Sequence, residues 1–150
     1  MNALRDTDRV RANTADYVNQ RIDDKIEDNV RYYSGRTRAE VACRISELEQ
    51  EWDIERVLQL GAASLSLTGL TLAAVKNRVW FLLPTTVLAF LFLHAVQGWC
   101  PPIPVLRRLG IRTREEIERE RYALKALLGD FEDVNKASDR AGSALAGVTH

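Results

Sequence analysis

Two apolar stretches, residues 57–75 and 79–100, are separated only by Lys76-Asn77-Arg78, and neither contains an acidic residue, a lysine or an arginine. Each reaches the roughly 20 residues needed to cross a hydrocarbon core of about 30 Å at about 1.5 Å per residue. So short a connection makes the two helices antiparallel neighbours. The pattern predicts a transmembrane helical hairpin, and no other feature restricts the fold as tightly. Charged residues make up 28% of the chain, which resembles a soluble protein only because polar flanks are averaged with a charge-poor centre.

The expected class is all-α, a two-helix transmembrane hairpin flanked by cytosolic amphipathic, coiled-coil-like helices. The chain divides into a helical region over 1–56, the hairpin over 57–100, and a C-terminal helix with a mobile tail over 101–150. Val18, Ile22, Ile26 and Val30 recur at i+4 among charges, giving one apolar stripe. Asn13 or Thr14 is expected to cap that helix. Thr37-Arg38-Ala39-Glu40 is a capping box, and Val41, Ile45, Leu48 and Trp52 follow at 4-3-4 spacing. Two heptads are too short to stand alone in water, so this stripe needs a partner: the first helix, a second copy of the chain or another protein. No Pro or Gly separates Thr37 from Leu60. An unbroken rod from Thr37 to Val75, roughly 58 Å long at the helical rise, is favoured over a hinge near Trp52-Asp53, since breaks need a cause.

Inside the first stretch, Ala62, Ser66, Gly69 and Ala73 form a face of small residues, which lets helices in lipid approach closely. Its partner is the second stretch or another copy of the chain. Pro84 is expected to place the regular start of the second helix close to Leu83 or to kink it there. Pro101, Pro102 and Pro104 are expected to end it and force an extended exit. Trp52, Trp80 and Trp99 all fall at the edges of the apolar stretches, where an aromatic belt would lie. Seven arginines flank the hairpin (38, 44, 56, 107, 108, 112 and 114), against Lys76 and Arg78 in the turn. That bias favours both termini in the cytoplasm. Thr113-Arg114-Glu115-Glu116 reads as a second capping box. The helix it opens carries Ile117, Leu124, Leu127, Leu128 and Phe131 on an apolar face, with Gly129 as its end signal. That face would lie on the membrane surface or against the N-terminal helices.

Chemistry is sparse. Acidic and basic residues number 21 each and alternate, so no basic patch points to nucleic acid. No nucleotide-loop, zinc-protease or nucleophile-elbow motif occurs, and the two cysteines lack metal-site spacing. No catalytic residue, metal or cofactor is expected. Cys100 is the one candidate thiol at the membrane boundary, with Arg107 and Arg108 downstream to favour a thiolate; the alternative is a small apolar residue packed at a helix end. His94 and Gln97 are polar groups within the second stretch, and an intramembrane ionisable group is by default a functional hypothesis. The plainer expectation is that His94 donates across the hairpin to Ser64, Ser66 or Thr68.

Glu55-Arg56 before a stretch with Gly61 and Gly69, then Gly98-Trp99-Cys100-Pro101 and Leu109-Gly110-Ile111-Arg112-Thr113, resemble the YgaP-like transmembrane domain family over residues 54–113. The resemblance implies a bacterial inner-membrane hairpin, often self-associating and in some members fused to a rhodanese sulfurtransferase domain. Here Cys43 is followed by Arg-Ile-Ser-Glu-Leu instead of a glycine-rich anion loop. Gln59 stands where a second arginine is common, and the linker over 101–108 is longer than usual. Sulfur-transfer catalysis is therefore not carried over.

The expected function is a non-enzymatic inner-membrane anchor or scaffold. Its partners are the lipid bilayer and either a second copy of itself or another membrane or cytosolic protein. The alternative is a membrane-bound thiol or persulfide carrier using Cys100.

Overall fold

The structure, a computed structural model, describes residues 8–129, which are helical with short connections and no strand. In order these are α1 (Arg9–Ala12), α2 (Asp16–Ser34), α3 (Arg38–Gln50), α4 (Ile54–Val75), a 3-10 turn (Arg78–Phe81), α5 (Leu82–Gln97), α6 (Ile103–Arg108) and α7 (Arg114–Leu128). The all-α class holds. The chain groups into two compact units that the sequential division does not anticipate. One joins the described part of Met1–Ile22 to Trp52–Glu115, and the other joins Asp23–Glu51 to the described part of Glu116–His150. Residues 1–56 are therefore shared, because α2 contributes to both.

The first unit contains the hairpin. Helix α4, and α5 taken together with the 3-10 turn before it (Arg78–Gln97), are long and apolar enough to cross a membrane. They are not continuous with α3: Glu51 and Asp53 are extended, which breaks the expected rod. The break has two causes. The Asp53 side chain accepts from the Arg56 N–H at 2.7 Å as the α4 N-cap, and the Ile54 N–H donates to the Arg112 carbonyl at 2.9 Å. A backbone donor that a continuous helix would use internally is thus engaged by a residue far along the chain.

The small-residue face packs within the hairpin. Gly69 and Ala73 are buried, Ala62 and Ser66 half-buried. A Cβ added at Gly69 would lie 2.6 Å from Pro84 Cδ and 3.2 Å from Leu83 Cβ, which marks the close approach of the two helices. Pro84 lies in the first turn of α5, where its missing N–H costs nothing.

The exit from α5 differs from expectation. Gly98 adopts φ +72° and ends the helix, and the prolines then start α6 instead of holding the chain extended. Pro102 is already in the right-handed helical region, and the Ile103 N–H closes a turn on the Cys100 carbonyl at 3.0 Å. Prolines lack only N–H groups that a first helical turn leaves unused. The expected cap of α2 also changes. The Ala15 carbonyl accepts the first α2 bonds, while Thr14 Oγ1 and Asn13 Nδ2 donate back to the Val10 and Arg9 carbonyls.

In the second unit, Val41, Ile45 and Leu48 of α3 bury against Ile117 and Leu124 of α7, with Val30, Tyr33 and Leu128 at the margin. The partner that the α3 stripe required is therefore within the same chain, and α7 uses its apolar face there. The Thr37–Glu40 capping box forms as expected, and Gly129 ends α7 at φ +80°. The remainder of the α7 stripe, Phe131, lies outside the described residues.

Beside this core, Glu120 is fully buried. Its Oε1 accepts from Arg44 Nε and Nη2 at 3.1 and 3.0 Å and from Asn29 Nδ2 at 3.1 Å. A buried carboxylate is tolerated when its charge is paired and its lone pairs are used.

Candidate functional site

The chemistry-bearing residues of the first unit gather where α4 begins and α5 ends. Helix α5 runs antiparallel to α4, so its C-terminal carbonyls stand beside the α4 N-terminus. Those carbonyls are capped from α1: Arg9 Nη1 donates to Ala95 and Val96 at 3.1 and 3.2 Å, and Asn13 Nδ2 donates to Gln97 at 3.1 Å. A cation at a helix C-terminus also opposes the negative end of the helix dipole. Helix α1 comes close enough that a Cβ at Gly98 would fall 2.3 Å from Arg9 Cβ. Only glycine meets both this distance and the left-handed backbone.

Below this contact lies a buried polar layer. Asp8 caps α1 by accepting from the Arg11 N–H at 2.9 Å and also accepts from Thr113 Oγ1 at 2.5 Å. Arg107 is 1% exposed and donates to Asn19 Oδ1 at 2.9 Å and to the Ile111 carbonyl at 3.3 Å. Sequence reasoning placed Arg107 among the membrane-flanking charges and overlooked Asp8, Asn19 and Thr113. No spacing rule links residues some ninety positions apart.

A cavity of about 460 Å³ opens beside these groups, with Asp8, Arg9, Glu55, Gln59, His94, Thr113, Arg114 and Glu115 as its polar lining and Val10, Ile54 and Leu91 as apolar walls. His94 Nδ1 is buried and has no hydrogen-bond partner among the described residues. The expected bond to Ser64, Ser66 or Thr68 is absent, and helix register explains why. Gly69 faces Leu83 and Pro84, so His94 stands near the level of Leu58 and Gln59. Ser66 is then about seven residues, or roughly 10 Å, further along α4. Thr68 Oγ1 instead bonds back to the Ser64 carbonyl at 2.8 Å. Gln97 is exposed and takes part through its backbone carbonyl only.

Cys100 belongs to the core of this unit, not to a reactive surface. It is 3% exposed, clustered with Val10, Ile54, Leu58 and Ile103, and three residues beyond the end of α5. Burial pushes its thiol up, so the thiolate is scarcer at neutral pH than for an exposed cysteine. Arg107, the nearer expected activating cation, is engaged by Asn19 and Ile111. This geometry suits the packing role over the thiol carrier.

On the hairpin an apolar groove of about 480 Å³ is lined by residues that include Leu58, Gly61, Leu65, Phe90 and Leu106. Trp52, Trp80 and Trp99 are all exposed, at 45%, 41% and 40%, and the Arg56 guanidinium stacks on the Trp52 ring at 4.4 Å. Among the described residues no set of three or more His, Cys, Asp or Glu side chains is placed to hold a metal ion. Comparison with family models, curated proteins and solved structures finds no match.

Proposed function

We propose that this is a non-enzymatic integral protein of the bacterial inner membrane, in which the α4–α5 hairpin anchors a helical module presented to the cytoplasm. The observation that carries the reading is the bareness of the hairpin. Only 6% of the apolar window of α5 and 17% of that reaching into α4 is buried by the rest of the protein. Leu65, Leu67, Leu82, Leu88, Phe92 and Val96 are each at least half exposed. In water such a surface would aggregate; in lipid it meets its solvent. A core helix of a soluble domain would carry the same sequence but lie under other elements.

The exposed tryptophans at the hairpin's edges support the membrane reading, and the arginine excess outside the turn supports both termini facing the cytoplasm. The YgaP-like resemblance, with its Gly-Trp-Cys-Pro exit, supports the same two-helix arrangement. The module serves as a scaffold for a second copy or for another membrane or cytosolic protein. Tyr32 is 57% exposed with the Arg36 guanidinium 4.4 Å over its ring, and these are residue types that dominate protein interfaces.

The test is fractionation followed by cross-linking in native membranes. The protein should stay in the membrane pellet through alkaline extraction, with tags at both termini shielded in intact spheroplasts. Recovery in the soluble fraction would defeat the membrane reading. Exclusively monomeric protein, with no cross-linked partner, would defeat the scaffold reading.

A further inference from the structure

We propose that the polar cavity at the base of the hairpin binds a primary ammonium group. The cavity's size, about 460 Å³, is in the range of small-molecule sites and far too large for a bare ion. Among the described residues its lining holds three carboxylates, Asp8, Glu55 and Glu115, against two guanidinium groups, Arg9 and Arg114. That leaves a surplus of one negative charge, which a monocation would neutralise.

The lining groups are not equally available. Asp8 is occupied by Arg11 and Thr113, and the Arg9 guanidinium is spent on the α5 carbonyls. Arg114 and Glu115 also have partners. His94 Nδ1 is buried in the lining without a hydrogen-bond partner among the described residues, and the exposed Glu55 carboxylate and Gln59 amide oxygen stand beside it as solvent-facing acceptors. Glu55 and Gln59 are one helical turn apart on the same face of α4, and His94 comes to their level by the register of the hairpin. An imidazole with its proton on Nε2 offers Nδ1 as an acceptor.

Three acceptors and a net negative charge fit the three N–H donors of an –NH3⁺ group. Among the described residues no Phe, Tyr or Trp lines the cavity, so it lacks the cage by which proteins hold quaternary ammonium ions. Val10, Ile54 and Leu91 leave room for a carbon chain attached to the nitrogen. Two sources supply this chemistry: the ethanolamine headgroup of a phospholipid, or a soluble amine. The lipid source rests on the membrane reading of the hairpin; the ammonium chemistry does not.

The full-length protein in non-ionic detergent provides the test. The chain has two histidines, His94 and His150, so selective histidine labelling yields two resolvable ring signals by NMR. Ethanolamine should shift the His94 signal and leave that of His150 in place, and choline should not compete. Glu55→Gln and Gln59→Leu, both at exposed positions, should each weaken binding about tenfold or more while the circular dichroism spectrum is unchanged. A His94 signal indifferent to ethanolamine, or equally responsive to choline, overturns the proposal.

Native mass spectrometry separates the sources. Selective retention of phosphatidylethanolamine over phosphatidylcholine, lost in Glu55→Gln, supports the headgroup. Ethanolamine binding without lipid selectivity supports a soluble amine and discards the lipid. Because the soluble probe needs no bilayer, a hairpin that fails to insert would not be mistaken for a cavity that fails to bind.

Discussion

Two glycines of α4 should respond differently to the same substitution. A methyl group at Gly61 would meet nothing within 4 Å, whereas at Gly69 it would stand 2.6 Å from Pro84 Cδ and 3.3 Å from Leu83 Cδ2. Carbon atoms rest about 3.5–4.0 Å apart, so Gly69→Ala requires the helices to separate by about 1 Å. The obstacle is a proline ring, which has no rotamer to move into. Overpacking of this kind costs about 1–3 kcal/mol. Replacing glycine by alanine within a helix also gains up to about 1 kcal/mol from propensity, a gain common to both sites. Gly61→Ala should therefore be neutral or stabilising, and Gly69→Ala should fall about 1–3 kcal/mol below it. Unfolding each variant by sodium dodecyl sulfate titration from dodecyl maltoside micelles, followed by circular dichroism, measures the difference directly. Equal stability of the two variants would refute the placement of Gly69 at the helix contact.

Removing the Glu120 carboxylate by substitution with Ala takes the buried acceptor from Arg44 and Asn29, and because Arg44 keeps Glu47 at 3.0 Å, chemical denaturation should register a loss of about 1–3 kcal/mol. Cys43 is exposed and Cys100 buried with its thiol pushed up, so a maleimide at neutral pH should label Cys43 first and Cys100 only after unfolding; equal rates would restore Cys100 as a carrier. The hydrogen bonds from the Thr37 side chain and backbone hold the Glu40 carboxyl below the usual carboxylate range. A lowered folded value means the capping box contributes fully above the unfolded value and loses its contribution as pH falls through the folded one. Unfolding midpoints should show this acid-side loss in the native chain and not in Glu40→Gln.

Much of the architecture was legible because it depends on residues near one another in the chain. Uninterrupted apolar stretches, the Thr37–Glu40 box, Gly129 and the small-residue face are local patterns, and each produced its element. The prolines after Cys100 were misjudged because their effect depends on position: the same residue that ends one helix can open the next. The break at Glu51–Asp53 had a partial signal in Asp53, a favourable N-cap residue, but its other cause, the Ile54–Arg112 bond, cannot be inferred from either segment.

The hairpin and its aromatic edges were thus determined by the sequence alone, since covalent neighbours dictate periodicity and hydropathy. The connection, in contrast, runs through a 3-10 turn over Arg78–Phe81 and is longer than the three residues between the apolar stretches. Tertiary structure decided which polar groups share space. It brought Asp8 to Thr113, Arg107 to Asn19 and Glu120 to Arg44, through contacts spanning 76 to 105 positions. It enclosed Cys100 among aliphatic side chains, which disfavours the charged thiolate. It also set the register that carries His94 past the serines and threonine of α4 to the level of Gln59. That last step depends on the contact of Gly69 with Pro84, where the absence of a side chain on one helix lets the other approach.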